Sequence, residues 1–191
     1  EWGGLVRQMV PCAERVRFTS SGTEANLMAF RLARAFTKKP KLVRFIRHFH
    51  GWQDHVAFGA KGSVTTGSVP GVLDGIIENV ILIEPGNEQL IRETLSSRDD
   101  IAGVILEPTG ASFGSVPVTR DFVAALRDAT AENGVLLLFD EVVTGFRVSP
   151  GGAQSYYGIT PDLTSLAKIL SGGLPGGAVC GRAEILELLD F

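Results

Sequence analysis

The run Val135-Leu136-Leu137-Leu138-Phe139-Asp140-Glu141 indicates the fold class of this chain. Consecutive apolar residues without alternation are typical of a strand that is buried on both faces, as in a parallel sheet covered by helices. The segment Ile101–Leu106 has the same character, and a helical pattern that opens at Thr119 and Asp121 lies between the two runs. This alternation of strands and helices predicts an α/β fold with a mainly parallel sheet.

Further strands and helices are predicted on both sides of this unit. The same patterns predict strands at 15–19, 42–46 and 80–83, and helices at 23–36, 88–95 and 183–189. In the helix at 23–36, the spacing predicts that Leu27, Phe30, Ala33 and Phe36 face the core. The glycine- and proline-rich stretch 59–75 is too long for a simple connection, and we interpret it as a candidate lid.

The composition describes a globular domain and argues against several classes of partner. Of the 191 residues, 45% are hydrophobic and 20% are charged, and 18 basic against 21 acidic side chains give a net charge of −3. No basic cluster of the kind that binds nucleic acid is present. No apolar run approaches the roughly 20 residues of a membrane span. Cys12 and Cys180 have neither metal-ligand nor CxxC spacing, which favours a reducing, cytoplasmic location.

A solitary lysine and a strand-end aspartate carry the first chemical hypothesis. Lys168 lies in an apolar, glycine-bounded segment, 28 residues after Asp140. In dry surroundings the pKa of a lysine amine should fall, which would make the amine a nucleophile toward an aldehyde. Asp140 ends a buried strand, where open α/β sheets bind ligands. The pair suggests a Schiff-base lysine with a carboxylate for the ring nitrogen of pyridoxal phosphate (PLP). A surface lysine and an ordinary strand-end aspartate would explain the same two residues without a cofactor.

The turn Ser20-Ser21-Gly22-Thr23 joins a predicted strand to a predicted helix. Free N–H groups at the start of a helix, hydroxyl groups and a glycine make a suitable anion cradle. Helix capping by Ser21 or Thr23 explains the same residues without a ligand. The turn matches neither GxxxxGK[ST] nor GxGxxG.

Aromatic and acidic residues follow other predicted strands. In the segment His48-Phe49-His50-Gly51-Trp52, an aromatic ring could stack on a planar cofactor or simply pack at a strand end. The two histidines have no third ligand cluster nearby in sequence, so no metal site is predicted. Glu107 and Asp140 end two buried strands, and buried carboxylates are costly unless they are functional or paired. Val142 could contact a cofactor face or belong to the core.

Taken in order, the motifs resemble those of the class III PLP-dependent aminotransferases, most closely the glutamate-1-semialdehyde 2,1-aminomutase subgroup. The resemblance covers essentially all of the chain. The motifs that carry it are Phe18-Thr19-Ser20-Ser21-Gly22-Thr23-Glu24-Ala25, Phe49-His50-Gly51, Val104-Ile105-Leu106-Glu107-Pro108, Phe139-Asp140-Glu141-Val142-Val143-Thr144-Gly145-Phe146-Arg147, Pro161-Asp162-Leu163, Lys168 and Gly172-Gly173-Leu174-Pro175.

The resemblance implies the large domain of PLP-dependent transferase fold type I, a mainly parallel seven-stranded sheet with flanking helices. Lys168 and Asp140 would be the catalytic residues. Asp140 would bond the pyridine nitrogen, and Val142 and Phe49 would lie against opposite faces of the ring. The implied cofactor-binding set is Ser21, Gly22, Thr23, Phe49, His50, Glu107, Asp140, Val142 and Lys168.

The resemblance also implies the activity and the partners. The enzyme would move an amino group between a small-molecule amino donor and a carbonyl acceptor, as a homodimer with a shared active site. Phe49 replaces the tyrosine that is usual in the aminomutases, whereas Val143 agrees with their apolar residue. Aminomutase and α- or β-amino-acid transaminase both remain open. A phosphate-binding α/β module without PLP chemistry, and an inactive scaffold or fragment, are open as well.

The ends of the chain lead to one further expectation. The sequence opens at Glu1 without an initiator methionine and stops at Phe191 within a predicted helix. We therefore expect residues 1–191 to be the PLP-binding domain of a longer protein. The N-terminal segment and the C-terminal small domain would lie outside it.

Overall fold

The computed structural model describes residues 1–59 and 70–189. The strands are β1 (Arg15–Thr19), β2 (Lys41–Phe45), β3 (Val80–Ile83), β4 (Ile101–Leu106), β5 (Val116–Pro117), β6 (Leu136–Asp140), β7 (Leu163–Ala167) and β8 (Gly177–Gly181). The α-helices are α1 (Trp2–Met9), α2 (Gly22–Thr37), α3 (Asp74–Ile77), α4 (Glu88–Ser96), α5 (Ala111–Gly114), α6 (Arg120–Glu132), α7 (Gly152–Tyr157) and α8 (Ala183–Leu186). Short 3₁₀ turns occupy Asp54–Val56, Lys168–Ser171 and Glu187–Leu189.

Seven of the strands form one sheet in the order β1-β8-β7-β6-β4-β2-β3. The five strands from β7 to β3 run parallel to one another. Strand β8 is antiparallel to both β7 and β1. The short β5 lies outside this sheet and pairs with the chain at Gly110 and Ala111. The prediction of a mainly parallel seven-stranded sheet is confirmed.

The central strands are buried on both faces, as their unbroken apolar sequences predicted. Every residue of β4 and β6 is buried. On one face of the sheet, Val104 and Leu137 pack with apolar residues of α4 and α6, and on the other face Ile105 and Leu138 pack with α2 and α8. Burial of such residues is the main source of stability in a layered α/β domain.

Helix α2 confirms the prediction in outline and corrects it in detail. Its buried face contains Ala25, Asn26, Ala29, Phe30, Leu32 and Ala33. The expectation for Leu27 was wrong, because this side chain is 47% exposed. The buried stripe is displaced toward Asn26, and the small alanines let the helix lie close to the sheet.

The parallel strands bring their carboxyl ends to one edge of the sheet. Asp140 is the last residue of β6, Glu107 directly follows β4, and Lys168 directly follows β7. The segment 48–52 follows β2 at the same edge. The parallel order of the strands therefore brings residues that are far apart in sequence to the same edge of the sheet.

The candidate lid at 59–75 falls mainly on residues 60–69, which lie outside the described ranges. After them, α3 begins at Asp74, within the stretch that was predicted to be loop. The predicted helix at 183–189 is a short α-helix followed by a 3₁₀ turn. None of the helices at 1–59 and 70–189 combines the length and apolar character needed to cross a membrane.

Candidate active site

A cavity of about 620 Å³ opens at the carboxyl edge of the sheet. Its volume falls within the roughly 300–1,000 Å³ range of small-molecule sites. All nine residues of the predicted cofactor-binding set line it, namely Ser21, Gly22, Thr23, Phe49, His50, Glu107, Asp140, Val142 and Lys168. The structure thus brings together residues that come from separate segments of the sequence.

Asp140 lies at the buried base of this cavity and accepts four hydrogen bonds. Its Oδ2 accepts from His50 Nδ1 at 2.7 Å and from Asn26 Nδ2 at 2.8 Å. Its Oδ1 accepts from the backbone N–H of Val142 at 3.1 Å and from Ser165 Oγ at 3.4 Å. These donors compensate for the burial of a carboxylate and fix its orientation.

Sequence reasoning missed Asn26 and Ser165. Asn26 is almost fully buried on the core face of α2, and its amide also donates to the carbonyl of His50 at 3.1 Å. A signal was present, because a lone polar residue in an apolar helical stripe needs a partner in the core. Ser165 carried no comparable signal, since the strand that holds it, β7, was not among the predicted strands.

His50 is a buried partner of Asp140. Burial lowers the pKa of His50, and the hydrogen bond with Asp140 opposes this shift. A neutral His50 ring that donates from Nδ1 to the Asp140 carboxylate is consistent with both its burial and this hydrogen bond. His50 Nε2 is buried and has no hydrogen-bond partner in the described part of the chain.

Lys168 is the first residue after β7, and its backbone has a left-handed φ of 51°. The sequence predicted dry surroundings for its amine, and this was wrong, because the residue is exposed. Of the apolar neighbours that suggested burial, Leu166 and Ala167 belong to β7, whereas Ile169 and Leu170 lie in the 3₁₀ turn that follows it. Beyond the strand end, Lys168 lines the cavity, where its amine can move and meet a ligand.

The first turn of α2 combines a helix cap with an anion cradle. Ser21 is the N-cap, and its hydroxyl oxygen accepts from the backbone N–H of Glu24 at 3.2 Å. The carboxylate of Glu24 in turn accepts from the backbone N–H of Ser20 at 2.6 Å. The cap uses Ser21 as an acceptor only, so its hydroxyl proton and the first N–H groups of the helix can serve an anion.

Two glycines explain how closely the segments of the site approach one another. A Cβ on Gly22 would lie 2.7 Å from a methyl group of Val142, so Val142 packs directly against the cradle. Gly51 has a φ of +105°, and a Cβ there would lie 2.5 Å from Thr23 Oγ1. Both positions need glycine for steric reasons.

Phe49 and Trp52 form an aromatic rim at the cavity. Their ring centroids are 5.5 Å apart in an edge-to-face arrangement. The side chain of Phe49 is 49% exposed and that of Trp52 is 82% exposed, so neither is a core residue. The buried carboxylate of Glu107 accepts from the backbone N–H of Phe49 at 2.8 Å, which ties this rim to the end of β4.

Glu141 follows Asp140 at the end of β6, and its hydrogen bonds hold the local fold together. It is buried and accepts from Thr144 Oγ1 at 2.8 Å and from Gln154 Nε2 at 3.0 Å, with further bonds from the backbone at the start of α7. Burial raises the pKa of Glu141, and these donors oppose the shift. The two adjacent carboxylates therefore differ in role, since only Asp140 lines the cavity.

The residues of the cavity fit PLP in their chemistry. A buried, oriented carboxylate suits a pyridinium N–H, a helix start with hydroxyls suits a phosphate, and an accessible amine suits an aldehyde. Phe49 and Val142 offer apolar surface for a planar ring. Within the ranges 1–59 and 70–189, no group of three His, Cys, Asp or Glu side chains could hold a metal ion.

Comparison with known proteins gives consistent relationships over the whole chain. The family model described as aminotransferase class III matches residues 1–191. Glutamate-1-semialdehyde 2,1-aminomutase of Natranaerobius thermophilus is 47% identical over 193 residues, which covers 99% of this chain and 45% of that protein. The chain thus spans about half the length of the curated relatives it matches.

Solved structures agree with the fold and with the predicted cofactor. An omega-transaminase from Sphaerobacter thermophilus superposes with a TM-score of 0.91 at 33% identity, covering 99% of this chain and 45% of that one. A glutamate-1-semialdehyde-aminomutase from Pseudomonas aeruginosa in complex with PMP gives 0.85 at 26%, covering 100% and 43%. Because class III aminotransferases depend on PLP, the cofactor prediction is confirmed for the family. The chain belongs to the class III aminotransferase family.

Proposed function

We propose that the protein containing this chain is a PLP-dependent aminotransferase or aminomutase, and that glutamate-1-semialdehyde 2,1-aminomutase is the better assignment. One observation carries the proposal: the buried Asp140, the accessible Lys168 and the helix start at Ser21 all line a single cavity. The 47% identity to an aminomutase supports the narrower assignment.

Each part of the cavity has a role in this proposal. Asp140 would hold the proton on the pyridine nitrogen, while Asn26 and His50 keep its carboxylate oriented. Ser21, with Gly22 and Thr23, would bind the phosphate. Phe49 and Val142 would contact the two faces of the ring, and Lys168 would hold the cofactor covalently through its amine.

Catalysis requires the transfer of a proton, and in this proposal Lys168 would transfer it. Bound PLP supplies an electron sink that weakens the bond between hydrogen and the carbon next to the substrate nitrogen. Once the substrate amine has replaced the Lys168 amine at the cofactor, the freed Lys168 amine would take that proton as a general base and return it as a general acid. Its exposure in the cavity and its position beyond the end of β7 support such mobility.

A transaminase that acts on α- or β-amino acids is the second candidate. The omega-transaminase superposes with a higher TM-score and at higher identity than the Pseudomonas aminomutase does. Both candidates use the same cavity and the same lysine. In a transaminase the amino group is transferred to a second substrate. In the aminomutase it returns to the neighbouring carbon of the same substrate skeleton.

A spectroscopic titration distinguishes these candidates. Single amines are added without an acceptor to the PLP-loaded full-length protein, and its visible absorbance band is followed. The panel contains α-amino acids, β-amino acids and 4,5-diaminovalerate. A response confined to 4,5-diaminovalerate is expected for the aminomutase, whereas a response to ordinary amino acids indicates a transaminase. The absence of any visible band after loading would overturn the PLP assignment and favour a plain phosphate-binding module.

The assembly and cellular setting are part of the same proposal. We propose that residues 1–191 are the large PLP-binding domain of a longer cytoplasmic protein, which acts as a homodimer with a shared active site on small-molecule substrates. The coverage of about 45% of the relatives supports the domain assignment. Light scattering of the full-length protein during size-exclusion chromatography measures its oligomeric state, and a monomer at working concentration would contradict the homodimer.

A further inference from the structure

The segment that carries Phe49 is fastened to the end of β4 by two hydrogen bonds. The backbone N–H of Glu107 donates to His48 Nδ1 at 2.9 Å. The backbone N–H of Phe49 donates to Glu107 Oε1 at 2.8 Å. His48 and Glu107 are both buried, so each bond is shielded from competition by solvent.

The first of these bonds fixes the tautomer of His48. A backbone N–H can only donate, so Nδ1 must present a lone pair and the ring proton must lie on Nε2. Burial lowers the pKa of His48 to about 3, aided by His50 and Arg44 and opposed by Asp140. The ring thus remains a neutral acceptor throughout the working pH range of an enzyme.

Three consecutive residues therefore bond to two partners, Glu107 and Asp140. His48 accepts from the backbone of Glu107, Phe49 donates its N–H to the carboxylate of Glu107, and His50 donates to Asp140. The segment links the loop after β2 to the ends of β4 and β6. The aromatic ring of Phe49 is held between two anchored neighbours.

We propose that His48 is a positioning residue: its Nδ1 lone pair holds the backbone of Glu107, and Glu107 in turn fixes Phe49 at the face of the cofactor ring. The inference rests on the proposed function for the contact between Phe49 and PLP. The hydrogen-bonded arrangement itself belongs to the protein without cofactor, so it can be tested separately.

Two substitutions of similar polarity isolate the acceptor. In H48N the side-chain oxygen can occupy the position of Nδ1, whereas in H48Q it lies nearer the position of Nε2. Hydrogen–deuterium exchange of the Glu107 and Phe49 amides is measured in the full-length protein without PLP, and PLP affinity is measured by absorbance. In H48Q we expect exchange at both amides to rise about tenfold and PLP affinity to fall about three- to tenfold. In H48N we expect both quantities to stay within about twofold of the wild type.

Several outcomes overturn the inference. H48Q with wild-type exchange and affinity would show that the acceptor is not needed, and H48N as impaired as H48Q would show that its position is not the cause. If the wild type fails to bind PLP, the proposed function fails, while the exchange data still decide whether the bonds exist.

If H48Q does not fold, ¹⁵N spectra of the histidines in the wild type replace the H48Q measurements. They should show His48 with its proton on Nε2 from pH 5 to 9, and a proton on Nδ1 overturns the inference.

Discussion

At the scale of single residues, the candidate site depends on a buried carboxylate at Asp140 and an exposed lysine at Lys168. Lys168 was predicted from its apolar, glycine-bounded segment and Asp140 from its position at the end of a buried strand, and both line the cavity. The surroundings of Lys168 were not predictable, because its exposure depends on where β7 ends and on the left-handed backbone at that point. Asn26 was missed because its partner lies 114 positions away in sequence.

Replacement of Lys168 tests the catalytic assignment. In K168A of the full-length protein, the amine that would hold PLP and transfer the proton is absent. We expect turnover to fall by at least about 10³-fold, since general acid–base catalysis alone contributes about 10²–10⁴-fold. The measurement is turnover with the best amine from the panel, and K39A, outside the cavity, is the matched control. Near-normal turnover in K168A would refute the assignment.

The contact between Gly22 and Val142 gives a second prediction at this scale. G22A places a methyl group in a space where Val142 Cγ2 lies only 2.7 Å away, so one of the two segments must shift. Overpacking of this kind costs about 1–3 kcal/mol, and we expect PLP affinity to fall about tenfold or more. Calorimetry and PLP titration measure the two effects.

The double variant G22A/V142A supplies the control for this prediction. Removal of the Val142 methyl groups should make room for the new Cβ and restore part of the thermal stability lost in G22A. Purely additive losses in stability would mean that the damage in G22A has a different origin.

At the scale of helices and strands, local patterns predicted most elements because local chemistry determines them. Unbroken apolar runs of sequence predicted β4 and β6. Helix α6 begins after Thr119, as the capping signal at that residue indicated. The exposure of Leu27 was not predictable from spacing alone. A helix with apolar residues on more than one side has several possible buried stripes, and only the packing partner selects among them.

The N-cap residue of α6, Thr119, allows the contribution of one helix cap to stability to be measured. Thr119 Oγ1 accepts from the backbone N–H of Phe122 at 3.1 Å, and α6 packs against the central sheet. In T119A we expect a loss of about 1 kcal/mol in the free energy of unfolding, because an N–H at the helix start loses its acceptor. Denaturant unfolding measures it, and T160A at an exposed threonine is the matched control. Equal stabilities of the two variants would contradict the role of the cap.

At the scale of the whole molecule, the sheet order creates the site. Strands β2, β4, β6 and β7 are neighbours and parallel, so the residues that follow them meet at one edge. The sequence predicted this edge but not the strand order, which depends on long-range packing. The same architecture buries ionisable groups near the site, and stability should therefore depend on pH.

All three histidines of the chain, His48, His50 and His55, have pKa values lowered primarily by burial. The folded protein thus binds fewer protons than the unfolded chain, and stability is lost as the pH falls below about 6.5, the ordinary pKa of histidine. For His48, whose pKa is about 3, the loss at pH 5 is about 2 kcal/mol. The raised pKa of Glu141 acts in the opposite direction and offsets part of the total.

Urea unfolding of the full-length protein at pH 7 and pH 5 measures this dependence. We expect a lower free energy of unfolding at pH 5, and a smaller loss, by about 2 kcal/mol, in H48N, which lacks one titrating ring but retains an acceptor for Glu107. The change in unfolding free energy between pH 7 and pH 5 is compared within each protein, so a difference in stability at pH 7 cancels and the difference between the two changes isolates the protonation of His48. Equal losses in the two proteins would mean that His48 is not buried as a neutral ring.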